Sequence, residues 1–171
     1  VQPYLRQATS YRRTELAIIN GAKRMISEIG FRKLNMIDLA SESQVSRATL
    51  YNHFRDKSEV FFAFVETEIE RISTLALVAP SRADALYMIS REISGHPGLR
   101  RALETDGELI ASALSIRDSQ IWVNIYSELA KIFATDVIGV GMIVRWLLGQ
   151  VTSPLSDEHS RQQADRLATT L

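Results

Sequence analysis

The stretch "SQVSRATLYNHFRDKSE", residues 43–59, sets Arg47, Thr49, Tyr51, Asn52, His53, Arg55 and Lys57 around only two large apolar residues, Leu50 and Phe54. A helix buried in a core would leave most of those hydrogen-bonding groups desolvated and unpaired. A helix facing only water would have no use for the aromatic rings. Ser46 is a natural N-cap for a short helix here, and Leu50 and Phe54, four residues apart, form its buried edge.

Working outward, Asn35 is an N-cap for a preceding short helix that carries Leu39 and Ala40 inward. Small Ala40 allows two helices to cross closely, and Val45 plugs the turn between them. Two short helices with this spacing fit a helix-turn-helix whose second helix presents its other face outward. On that face Arg47, Thr49, Tyr51, Asn52 and His53 are placed to reach phosphate oxygens or base edges. Arginine bonds guanine bidentately, asparagine does the same with adenine, and hydroxyls suit phosphates. Lys57 adds a charge and a free backbone N–H at the start of the next helix. The competing reading is an ordinary surface helix pair, with Arg47 and Arg55 as solubilising charges and Tyr51 or His53 packed against the first helix.

Residues 34–65, "LNMIDLASESQVSRATLYNHFRDKSEVFFAFV", resemble the N-terminal domain of the TetR family of bacterial transcriptional repressors. The resemblance is carried by Asp38-Leu39-Ala40, Val45-Ser46, Thr49-Leu50-Tyr51, His53-Phe54 and Lys57, with Gly30-Phe31 closing the first helix. Gln44 stands where that family usually has a turn glycine, and therefore needs either a left-handed backbone or a different turn. Asn35 stands where threonine is usual, and still caps. The candidate DNA-binding set is Asn35, Ser46, Arg47, Ala48, Thr49, Tyr51, Asn52, His53 and Lys57.

The resemblance implies an all-α, two-domain protein: a DNA-binding domain over residues 1–57, and a helical effector-binding and dimerisation domain over 58–171, joined by a helix from about 57 to 77. It implies double-stranded operator DNA, a small apolar effector and a second copy of the chain as partners. Met88, Leu109, Ile110, Ala113, Trp122, Tyr126, Met142 and Trp146 would suit the effector pocket, and each could equally be plain core. The dimer interface implied for the last two helices would use Gly139, Ile143, Arg145, Leu147, Gln163 and Leu167. Gly139 and Gly141 would let a neighbouring helix approach closely. Arg145 could meet a ligand carboxylate, pair across the dimer, or face water.

The rest of the chain reads as helix. Leu16, Ile19, Ala22, Ile26 and Ile29 place one apolar stripe on a helix from about Tyr11 to Ile29. Further helices follow over 57–77, from Leu86 to the breakers Gly95-His96-Pro97-Gly98, at Leu99–Leu103, over 107–116, 119–134 and 136–151, and a polar one over 157–171. The joints in "LALVAPSRADAL" and "IFATDVIGV" look tight for helices of this length.

Composition supports the same class. A 46% hydrophobic and 23% charged chain of 171 residues is ordinary for a globular protein. Absence of cysteine excludes disulfides, thiolate metal sites and thiol nucleophiles, and fits a reducing cytoplasm. No membrane-length apolar run or signal peptide is read. Net charge is zero, but residues 1–57 hold ten Lys and Arg against five Asp and Glu, a net of +5, which leaves −5 for the remainder. A basic head on an acidic body orients toward a polyanion. His53, His96 and His159 lie far apart and form no metal or catalytic cluster, so no metal, cofactor or enzymatic role is expected. Two rivals remain: a helical ligand-sensing adaptor without sequence-specific DNA binding, and a small-molecule enzyme on a helical bundle.

Overall fold

The computed structural model describes residues 3–108, 111 and 119–171. Among them every regular element is helical: α1 (Pro3–Ile29), α2 (Met36–Glu42), α3 (Arg47–His53), α4 (Lys57–Leu77), α5 (Arg82–Ser94), α6 (Pro97–Thr105), α7 (Gln120–Phe133), α8 (Val137–Thr152) and α9 (Asp157–Ala168). The expected caps are in place. Asn35 accepts from the amides of Ile37 and Asp38, and Ser46 from Thr49; α4 gains a further cap in Asp56, which accepts from Ser58 and Glu59. Each such cap contributes about 1 kcal/mol. That matters most for α2 and α3, seven residues each, which are too short to be stable as isolated helices.

The N-terminal helix differs from expectation. It begins at Pro3 rather than Tyr11, because the apolar stripe marks only the turns that pack, and residues 8–13 are exposed. The helix expected over 107–116 lies mostly outside the described residues. Both tight joints are genuine corners. Residues 78–81 link α4 to α5, and Ala134 takes a left-handed φ of 45° where α7 and α8 meet at 110°. Among the described residues no single helix is long and apolar enough to cross a membrane.

Two cores form. One gathers Ile18, Ala22 and Ile26 of α1, Leu39 and Ala40 of α2, Leu50 of α3, Phe54, and Val60 and Phe64 of α4. The other gathers Ala76 of α4, Leu86 and Ile89 of α5, Trp122, Leu129 and Phe133 of α7, Val140, Ile143, Val144 and Leu147 of α8, and Ala164 of α9. Helix α4 therefore feeds both, with Phe64 and Ala76 about 18 Å apart along it.

Polar contacts bind the two cores together. Lys23 of α1 donates to Glu68 of α4 at 2.6 Å, Arg71 donates to Glu68 at 3.0 Å, and Arg71 reaches Glu92 of α5 at 2.7 Å. Burial alone would raise the Glu68 carboxyl, but hydrogen bonds from Lys23 and Arg71 override it and hold the group below its ordinary value. His96 caps α6 by accepting the Leu99 amide at Nδ1, and its Nε2 lies 3.5 Å from Glu68. At the other end of α6, Asp106 is buried. It accepts the Arg32 amide at 3.4 Å and sits 3.5 Å from the Arg32 Nε.

Candidate nucleic-acid interface

The turn between α2 and α3 explains how the outward helix is aimed. The Val45 amide donates to Ala40 O at 3.0 Å, and the Gln44 amide to Ser41 O at 3.1 Å. Gln44 adopts φ 56°, so the left-handed backbone is what the turn uses. A side chain there costs about 1–2 kcal/mol, which the packing of α2 on α3 must offset. Leu50 is fully buried and Phe54 nearly so, leaving α3 pinned along one edge.

The opposite face is open. Arg47, Ala48, Tyr51 and Asn52 are exposed, with Tyr51 51% accessible. Thr49 is half-buried, and its hydroxyl lies 2.8 Å from the Ser46 hydroxyl, closing the first turn. Asn35 is exposed at the start of α2, its amide nitrogen donating to Asp38 at 2.6 Å. Lys57 is partly withdrawn: its ammonium donates to the carbonyls of Arg32 and Leu34 at 3.1 and 3.4 Å and lies 5.0 Å from the Phe31 ring. Lys57 thus ties α4 to the loop after α1, with one N–H direction left for another acceptor.

His53 is the residue whose role the structure redistributes. Its imidazole stacks on Tyr11 of α1, ring centres 3.9 Å apart, and Nδ1 is buried without a hydrogen-bond partner. Sequence reading named packing on the first helix as one of two roles for His53, but missed Tyr11 as the partner. A signal existed: Tyr11 lies seven residues before Ile18 and so on the same helical face.

Comparison with known proteins fits this geometry. Residues 18–64 match the sequence model describing bacterial regulatory proteins of the tetR family. Those 47 residues, the head from α1 to α4, are therefore similar to the tetR-family regulatory domain. An HTH-type transcriptional repressor of Mycobacterium tuberculosis, Rv1474c, is 31% identical over 111 residues, which are 56% of this chain and 59% of that protein. The chain thus spans under two thirds of that relative's length. The HTH-type transcriptional regulator Rv1255c of the same organism is 27% identical over 170 residues, 93% of this chain and 84% of the relative. Among solved structures, Salmonella enterica GusR superposes with a TM-score of 0.64 at 21% identity, covering 92% of this chain and 93% of its own. The TetR family repressor AlkX from Dietzia sp. strain DQ12-45-1b gives 0.56 at 17% identity, covering 91% and 94%. At those identities the superpositions establish the all-α fold.

In the body of the chain the candidate residues are distributed as follows. Trp122 is buried in the second core, and Met88, Tyr126 and Trp146 are half-buried around it. Met142 is 40% exposed, and the Trp146 indole donates to Gln163 at 2.7 Å. Leu109, Ile110 and Ala113 lie outside the described residues. An open cleft of about 490 Å³, lined by Arg91, Leu99, Leu103 and Val151 among others, takes in none of the described effector candidates. Of the residues implied for dimerisation, Ile143 and Leu147 point into the body's own core and Leu167 packs against it, while Arg145 and Gln163 are exposed. The space at Gly139 is filled by Thr135, and that at Gly141 by the Arg145 guanidinium, which donates to Gly141 O at 2.9 Å. Within one chain, local side chains therefore occupy the space at both glycines. Among the described residues no three His, Asp or Glu side chains converge to hold a metal.

Proposed function

We propose that the protein is a cytoplasmic, dimeric DNA-binding repressor that leaves a near-palindromic operator when a small apolar molecule binds its body. The observation that carries the reading is the division of α3. Leu50 is wholly buried, while Arg47, Tyr51 and Asn52, three side chains able to bond phosphates or base edges, stand exposed beside it. A relative named as a transcriptional repressor supports the sign of the regulation.

In this reading residues 1–57 form the reading head and 58–171 the body, with α4 as their shared beam. Arg47 and Asn52 read bases. Asn35, Ser46, Thr49, Tyr51 and Lys57 position the helix on phosphates, Ala48 lets α3 sit deep in the groove, and His53 holds the head together through Tyr11. Two heads enter successive major grooves about 34–36 Å apart. The second copy docks on the outer stripe of α8, Ile138, Met142, Arg145 and Gly149, all exposed and spaced three or four residues apart. The effector pocket would lie around Met88, Trp122, Tyr126 and Trp146, together with Leu109, Ile110 and Ala113. A bias of about 1–3 kcal/mol between head spacings is enough for regulation.

Equilibrium binding to duplex DNA across a salt series tests the proposal. Steep loss of affinity with salt is expected, and Arg47→Ala should relax preference at one base pair by about 1–3 kcal/mol. Absence of duplex binding at low salt would return the chain to the ligand-sensing adaptor reading.

A further inference from the structure

Four cations of the first 57 residues are ion-paired within the chain. Lys23 pairs with Glu68, Arg24 with Glu42, Arg32 with Asp106 and Arg55 with Glu59, while Lys57 is engaged by two carbonyls. Among the described side chains, Arg12, Arg13, Lys33 and Arg47 are exposed and carry no ion pair or side-chain hydrogen bond. Arg47 belongs to the reading helix. Arg12 and Arg13 sit on the part of α1 that extends beyond the first core, a projection of about 20 Å from Pro3 to Leu16.

Three features place this projection beside the reading helix. The Tyr11 ring is stacked on His53, the last residue of α3, so the arm crosses that helix at its C-terminal end. Tyr11 and Arg12 lie seven residues before Ile18 and Ile19, hence on the face that is buried further along α1. There the protein's own surface has run out, and Tyr11 and Leu16 remain 51% and 47% exposed. A helix inserted in a major groove about 12 Å wide lies between two phosphate backbones, so a basic arm crossing its end meets one of them.

We infer that the projecting end of α1 is a second DNA contact, in which Arg12 and Arg13 bind phosphates bordering the groove that α3 enters, at an angle fixed by the Tyr11–His53 stack. The inference rests on the DNA-binding reading above and adds a contact that is blind to sequence, since phosphates carry no base identity. It also gives a role to two adjacent exposed arginines that have no ion pair within the chain.

The test compares the parent with an Arg12→Ala, Arg13→Ala double variant on two duplexes of equal length, one recovered by selection from a random pool and one scrambled. Both side chains are exposed, so an unchanged melting temperature is expected. Each phosphate contact contributes about 0.9 to the slope of log affinity against log salt, so the slope should fall by up to about 1.8. The affinity deficit of the variant should then be about twelve-fold larger at 50 mM than at 200 mM salt, on both duplexes alike. A parent that binds with an unaltered slope and affinity in the double variant would overturn the arm contact and leave the DNA-binding reading standing. A deficit confined to the selected duplex would overturn the assignment to phosphate. A parent that binds neither duplex at 50 mM would remove both readings together.

Discussion

Gly30→Ala should be among the most damaging single-methyl changes in this chain, and its cost separates into two parts. Gly30 ends α1 at φ +84°, with its amide donating to Ile26 O at 3.1 Å. An alanine in that left-handed conformation costs about 1–2 kcal/mol. Its Cβ would also stand 2.5 Å from the Thr105 hydroxyl and 3.2 Å from the buried Asp106 carboxylate, which must both move. Overpacking of this kind adds about 1–3 kcal/mol. The total, about 2–5 kcal/mol, is a large share of the 5–15 kcal/mol typical of a folded domain. The assay is urea unfolding at one fixed protein concentration of the parent, Gly30→Ala, Thr105→Ala and the double variant. Thr105→Ala forfeits hydrogen bonds to Arg101 O and Asp106, about 1–2 kcal/mol, but it removes the obstacle. The double variant should therefore be more stable than the sum of the singles by about 1–3 kcal/mol. Additivity within about 0.5 kcal/mol, or a loss below about 1 kcal/mol in Gly30→Ala, would refute the claim that α6 is seated against the end of α1.

Three further outcomes follow from single positions. Gln44→Gly should stabilise the head by about 0.5–1 kcal/mol in thermal unfolding, because relief of the left-handed backbone exceeds the added chain entropy; destabilisation would show that the Gln44 side chain contributes more than the turn costs. Burial lowers the His96 pKa below its ordinary 6.5, with Glu68 partly opposing and Lys23 and Arg71 reinforcing. The unfolded chain then binds the proton more readily, so the contribution of His96 is complete above about pH 6.5 and lost as pH falls through the lower folded value. Stability should decline between pH 7 and 5, and less so in His96→Asn, which keeps a cap acceptor. Met142→Glu on the outer stripe of α8 should shift sedimentation toward monomer with little change in the helical signal, whereas an unchanged dimer would move the interface elsewhere.

Much of the head was legible in the sequence because its determinants are local. Asn35 and Ser46 cap helices within three residues of themselves, and Leu50 with Phe54 marks the buried edge of α3 by spacing alone. Gln44 could be read as needing a left-handed backbone or a different turn, and the first of these is what forms. The body was less legible. Helix α8 is apolar on nearly every side, so periodicity could not decide that Ile143 and Leu147 face the core while Ile138 and Met142 face out. Contacts between distant segments left no pattern either. The Asp106–Arg32 contact spans 74 residues, and nothing in the spacing of its members announces it. The start of α1 was missed for a related reason, since turns that pack on nothing carry no stripe.

The most direct test of the central claim is selection of bound duplexes from a random pool by the intact protein, with the number of chains per duplex measured on the winners. Two outward α3 helices on a two-fold dimer require an enriched inverted repeat whose half-sites are centred 10–10.5 base pairs, or a multiple of that, apart, bound by an even number of chains. Enrichment of no sequence, or of a lone site occupied by one chain, would contradict it.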